Sequence, residues 1–139
     1  MNRSDFQQLA DIRVNEAQVL LNSAPPQPDG AYYLAGYGVE CALKACIAKR
    51  IDQYDWPEKK FVQDIHTHNL VSLLQLARLD VLLKADAATN ATLATNWILV
   101  AAWNEQCRYV RSPLSAAQDL VNAISDSSNG VLPWIKVHW

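Results

Sequence analysis

The sequence predicts an all-α fold: an up-and-down bundle of five to six helices in a single domain spanning 1–139. Three observations lead there. At 139 residues the chain can bury one core but is short for two domains. Half of it is hydrophobic, Ala and Leu abound and only four glycines are present, a composition that favours helix. Apolar residues recur at helical spacing, with Ser, Asp or Asn where helices would begin. The net charge of −2 argues against a general electrostatic grip on nucleic acid, while leaving room for a local basic patch.

Ser4 and Gln7 fit a capping box for the first helix. Its stripe is Phe6, Leu9, Ala10, Ala17, Leu20 and Leu21, interrupted by Arg13. Arg13 either snorkels to the surface or joins a charge cluster through Glu40. The loop 25–30 follows, rich in proline, with Asp29 as the expected N-cap of the second helix.

That second helix, Ala31–Arg50, is apolar on nearly every face and is expected to lie buried among the others, ending between Arg50 and Asp52. Gly36 and Gly38 cost roughly 1 kcal/mol each against alanine in a helix, so a close neighbour or ligand is expected there. Glu40 and Lys44 stand i,i+4 with the acid first, the better orientation for a pair.

Residues 53–67 read as the longest irregular connection, with a turn signal at Asp55-Trp56-Pro57. His66 and His68 then offer His-x-His, but no third and fourth metal ligand stands at a suitable spacing. A capping or hydrogen-bonding histidine is the better reading, and no metal or other cofactor is expected. A third helix is expected from Asn69 to Leu79 and a short turn from Val81 to Ala87.

Thr89 or Asn90 opens a long helix to Tyr109, whose stripe of Leu93, Trp97, Val100, Ala101, Asn104 and Arg108 ends in polar residues. Ser112-Pro113 starts the next, running to Ser128 with Leu114, Ala117, Leu120, Val121 and Ile124 inward, and Asn129-Gly130 stops it. In 131–139, Trp134, Ile135 and Trp139 are heavy apolar groups that should dock on the bundle or on a second copy.

Cys41, Cys46 and Cys107 are odd in number and lack CxxC spacing, as befits buried thiols in a reducing cytosol. No apolar start resembles a secretory signal, and Glu40 and Lys44 interrupt the nearest candidate for a membrane span. The expected location is therefore cytoplasmic, with no membrane partner.

Taken in order, the pieces resemble a HEPN domain, the helical bundle named for higher eukaryotes and prokaryotes nucleotide-binding. They are Leu9, Arg13, Glu16, Ala17 and Leu20; then Ala31-Tyr32-Tyr33-Leu34-Ala35-Gly36-Tyr37, Val39-Glu40 and Ala42-Leu43-Lys44-Ala45; then His68-Asn69-Leu70; and last Arg108-Tyr109. The likeness runs from about Leu9 to Ile124. It implies a HEPN-like bundle and, in many members, a dimeric, metal-independent ribonuclease of the toxin–antitoxin kind. The signature of those members is Arg, four to six residues, then His: a guanidinium for the phosphate and an imidazole for the proton. Other members resemble binding modules beside nucleotidyltransferases.

This chain departs from the ribonuclease signature, because Arg108 is followed at those spacings by Pro113, Leu114 and Ser115, and Arg111 by Ala116, Ala117 and Gln118. The leading expectation is thus a non-catalytic HEPN-like domain that binds a nucleotide, RNA or a partner protein, and that pairs with a nucleotidyltransferase. Glu40, Lys44, His68, Asn104, Arg108 and Tyr109 would line its site. Lys44 and Arg108 would hold phosphate, and Tyr109 or Tyr37 would stack on a base. The alternatives are a divergent ribonuclease using His68 with Arg108, and a structural module in which Glu40–Lys44 only tunes helix register. A homodimer is expected through the first or fourth helix and the Trp-rich tail.

Overall fold

The computed structural model describes residues 1–51 and 56–139. Asp52, Asp55 and the start of the 53–67 connection lie outside the described residues. Eight α-helices occur among those described, more than the five to six expected, and there is no strand. They are α1 (Arg3–Asn22), α2 (Pro28–Lys49), α3 (Lys59–Asp64), α4 (Leu70–Leu76), α5 (Asp80–Thr89), α6 (Ala91–Ala101), α7 (Leu114–Ser125) and α8 (Val131–Lys136), with a 3-10 turn at Glu105–Tyr109. No described helix is long and apolar enough to cross a membrane.

As its all-round apolarity requires, α2 is central, touching α1, α4, α7, α8 and the 3-10 turn. Ala31, Ala35, Ala42, Leu43 and Ala45 are fully buried along it. Both interior glycines serve packing. A Cβ on Gly36 would lie 2.3 Å from the Trp103 ring, and one on Gly38 would lie 2.6 Å from a Val14 methyl of α1. No side chain but hydrogen fits at either place.

Several helix ends differ from the sequence expectation, each for a local reason. Asn2 caps α1 rather than Ser4, because Asn2 and Asp5 bond reciprocally at 3.1 and 2.8 Å. Pro28 occupies the first turn of α2, where its missing N–H costs nothing. Asp29 is therefore inside the helix, and its carboxylate accepts the Ser112 N–H at 2.6 Å. That bond takes up the Ser112 backbone and leaves α7 to begin after Pro113 with no side-chain cap. Leu114, expected inward, is 40% exposed. The other end of α7 also comes early, at Ser125, because the Asp126 side chain collects the N–H groups of Ser128 and Asn129.

Within the expected 53–67 connection, α3 forms one helical stretch with a Lys60–Asp64 pair at 2.9 Å. Asn69 caps α4 through the Ser72 N–H. The helix then stops at Leu76, where the N–H of Arg78 reaches Gln75 and that of Leu79 reaches Leu74. This closure needs a left-handed residue; glycine is the usual occupant, but here it is Arg78, at φ 56°. For a non-glycine residue that conformation costs roughly 1–2 kcal/mol.

The largest correction concerns the long helix expected to reach Tyr109, since α6 ends at Ala101. Trp103 then turns inward to lie over Gly36, and Asn104, in extended backbone, caps a separate 3-10 turn by accepting the Gln106 N–H at 3.0 Å. Arg108 is thus carried on that turn and is not the C-terminal cation of a long helix. The tail docks on its own bundle: Val131, Leu132 and Ile135 are buried, and the Trp134 indole donates to Asp86 at 2.8 Å.

Candidate functional site

Tyr33, Tyr37, Glu40 and Lys44 follow i, i+4, i+7, i+11 and so share one face of α2. Tyr33 and Tyr37 stack with ring centroids 6.1 Å apart, and Tyr33 also leans on Trp103 at 6.3 Å. Glu40 is only 1% exposed and is the sole charged residue buried among those described. Its carboxylate accepts from Lys44 Nζ at 2.8 Å, and both its oxygens lie 3.0 Å from His68 Nδ1. An otherwise costly buried charge is thereby held between two donors.

His68 reaches Glu40 because Asn69 caps α4 and fixes the residue before it at the mouth of the bundle. Since a carboxylate only accepts, Nδ1 must carry its hydrogen. Nε2 has no partner among the described residues, and the side chain is 49% exposed. The imidazole is therefore oriented from behind by a buried acid and presents its second nitrogen outward.

Arg108 and Tyr109 stand beside this cluster on the exposed 3-10 turn, the guanidinium 5.0 Å above the Tyr109 ring. Tyr109 is 74% exposed, and Arg108 makes no ion pair with any described residue. Glu105 lies on the same turn. Its carboxyl is held below the ordinary value, first by its own backbone N–H, then by Gln106, and further by the charges of His68 and Arg108. Glu40, Lys44 and His68 are thus joined by direct hydrogen bonds, while Arg108 meets α2 at the Tyr33 end of the same face.

The remaining candidates fall into place around it. Asn104 is exposed and its side-chain oxygen caps the 3-10 turn. Arg13 pairs with Glu16 and not with Glu40, so it leaves the cluster's own hydrogen bonds untouched. Tyr37 lies near Arg13, Cys41 and Glu40, and burial foremost raises its phenol. Burial likewise lifts the Cys41 thiol to about 11, with the Glu40 charge adding to it. Trp103 buries its indole Nε1 without a hydrogen-bond partner. No three His, Cys, Asp or Glu side chains among the described residues gather as a metal site.

Lys44 has a second aspect. It lines an apolar pocket of about 200 Å³ with Phe6, Ile47, Ile51 and Ile65. Sequence reasoning did not single out Tyr33 or Glu105 as members of the site. For Tyr33 the signal was present, in its seven-residue spacing from Glu40; for Glu105 none was, since the 3-10 turn was hidden in an apparent long helix. No protein-family model, curated protein or solved structure matches this chain.

Proposed function

We propose that this chain is a HEPN-like domain that binds a phosphate-bearing ligand, a nucleotide or an RNA, at the polar mouth beside α2. The observation that carries the reading is Glu40. A carboxylate at 1% exposure holds an ammonium and an imidazole in place while leaving donor capacity on each. Lys44 Nζ has three hydrogens and gives one to Glu40, and Arg108 offers a guanidinium with no ion-pair partner among the described residues. A phosphate accepts from donors of either kind, and the exposed Tyr109 ring supplies a stacking surface for a base. The same reading extends to a partner carrying a nucleotidyltransferase activity, and to a homodimer through the outer faces of α1 or α6, where Val19 is 60% and Ile98 71% exposed.

Isothermal calorimetry of the pure chain with mononucleotides and short RNA tests this. Heat is expected with wild type and not with Lys44→Ala. A folded sample that gives no heat with any of them refutes the reading. A sedimentation mass of one chain at micromolar concentration refutes the dimer.

A second reading, a divergent ribonuclease, is favoured by one observation: the His68 Nδ1–Glu40 bond that leaves Nε2 unpartnered. In that reading Nε2 takes the 2′-hydroxyl proton while Arg108 holds the phosphate. Growth arrest on expression, relieved by His68→Ala, supports it; intact RNA after incubation speaks against it.

A further inference from the structure

A separate group of basic residues lines a pocket of about 370 Å³ at the C-terminal end of α2. Lys49, Arg50, Arg78 and His138 line it, and no described carboxylate does. Lys49 lies nine residues beyond Glu40, about half a turn around the helix, so this pocket opens on the opposite side of α2 from the Glu40 cluster.

A bland explanation exists and falls short. The C-termini of α2, α4 and α8 all end here, and each carries up to roughly half a negative charge that a cation would suit. Lys49, Arg50 and Arg78 together exceed that. Neither Arg50 nor Arg78 makes an ion pair with a described residue, and Lys49 is directed to the His138 carbonyl at 3.0 Å. Arg78 adds an independent observation. Its backbone sits at φ 56°, where the local closure of α4 asks for glycine, yet the chain places an arginine there, and that residue lines the pocket. The rim is apolar: Leu82 is 47% and Val137 78% exposed.

The geometry points to this pocket as a binding site for a small phosphate ester, with the phosphate on Arg50 and Arg78 and an apolar group against Leu82 and Val137. Two guanidiniums from different elements give the planar, paired donors that a phosphate accepts best.

Amide NMR of the full chain titrated with phenyl phosphate or inorganic phosphate tests it. Both should shift Arg50, Arg78, Leu79 and His138, with phenyl phosphate the tighter. Arg78→Gly suits the left-handed backbone, so that variant should melt no lower than wild type while weakening phenyl phosphate about tenfold. Arg50→Gln should weaken it as well, whereas Lys60→Ala, which does not line the pocket, should leave it unchanged. Shifts that avoid these four residues, or unchanged affinity in both Arg78→Gly and Arg50→Gln, overturn the site. Pelleting with phosphatidylcholine–phosphatidic acid vesicles assigns the ester to a lipid; NMR shifts without pelleting assign it to a soluble compound.

Discussion

The two long faces of α2 solve opposite problems. One carries Ala31, Ala35, Gly38, Ala42 and Ala45, all fully or nearly covered by neighbouring helices. The other carries Tyr33, Tyr37, Glu40 and Lys44, with both aromatic rings half-buried and a carboxylate at 1% exposure. The small face gains by close approach, and nothing polar is left to satisfy. The polar face must offset the cost of a buried charge with donors, Lys44 from the face itself and His68 from across the fold. A helix wanting only stability would not need the second face. On the proposed function, the small face holds the fold together while the polar face presents its donors to a ligand.

The largest expected effect lies where the two faces meet. Gly36→Ala would put a Cβ 2.3–2.4 Å from three ring atoms of Trp103, so the indole must leave its seat. Overpacking of this kind, less the helix-propensity gain, should cost about 3 kcal/mol in urea unfolding. Gly38→Ala should cost less, because the contact is with a Val14 methyl, although the Ala10 carbonyl stands 3.1 Å away. Wild-type stability in Gly36→Ala would mean that Trp103 does not anchor the 3-10 turn.

Next comes the polar face itself. Glu40→Ala leaves the Lys44 ammonium, only 16% exposed, without its acceptor, and should cost about 2 kcal/mol. The double change Glu40→Leu with Lys44→Met replaces the pair by apolar groups of similar size. It should restore stability to within about 1 kcal/mol of wild type while abolishing ligand binding. A double variant much less stable than wild type would instead make the pair structural, and would remove the contrast between the faces.

That pair also shows what a sequence can disclose. Glu40 and Lys44 were legible because their partnership is local, set by i,i+4 spacing. His68 was legible as a hydrogen-bonding histidine, but its acceptor was not, since twenty-eight residues separate it from Glu40. The interior glycines announced a close neighbour without naming it; only folding shows that Trp103 meets one and Val14 the other. The end of α6 was hidden because Asn104 and Arg108 keep the helical period of Trp97, Val100 and Ala101, although Asn104 breaks the helix as the cap of the 3-10 turn. The helix stop at Arg78 was invisible, because it lacks the glycine by which such stops are recognised.

A smaller effect reads the burial of α2 through its thiols. Burial raises both Cys41 and Cys46 from 9.0 to about 11. Between those values the unfolded chain releases thiol protons that the folded chain keeps, so the folded state loses stability as pH rises. Stability should hold steady from these groups below pH 9 and fall between about 9 and 11, by on the order of 1–2 kcal/mol per thiol. Tyr37, also raised by burial, acts in the same direction at higher pH. A double Cys41→Ala, Cys46→Ala variant should lose less stability on going from pH 8 to 11. Equal alkaline losses in the two proteins would show the thiols to be less buried than their packing indicates.

The smallest effect on stability should be the largest on recognition. Arg108 is exposed, lies over the Tyr109 ring and contributes nothing to the core, so Arg108→Ala should change unfolding free energy by less than about 0.5 kcal/mol. If the polar mouth holds phosphate, the same change should weaken nucleotide or RNA binding by about tenfold, the worth of one charge-assisted bond. Glu105→Gln should act the other way, because its carboxylate shares the neighbourhood of His68 and Arg108 and repels an anion there. Opposite shifts in affinity from two neighbouring surface residues, neither altering stability, are hard to produce by packing. Parallel shifts, or none, would return the mouth of α2 to the status of a solvated helix face.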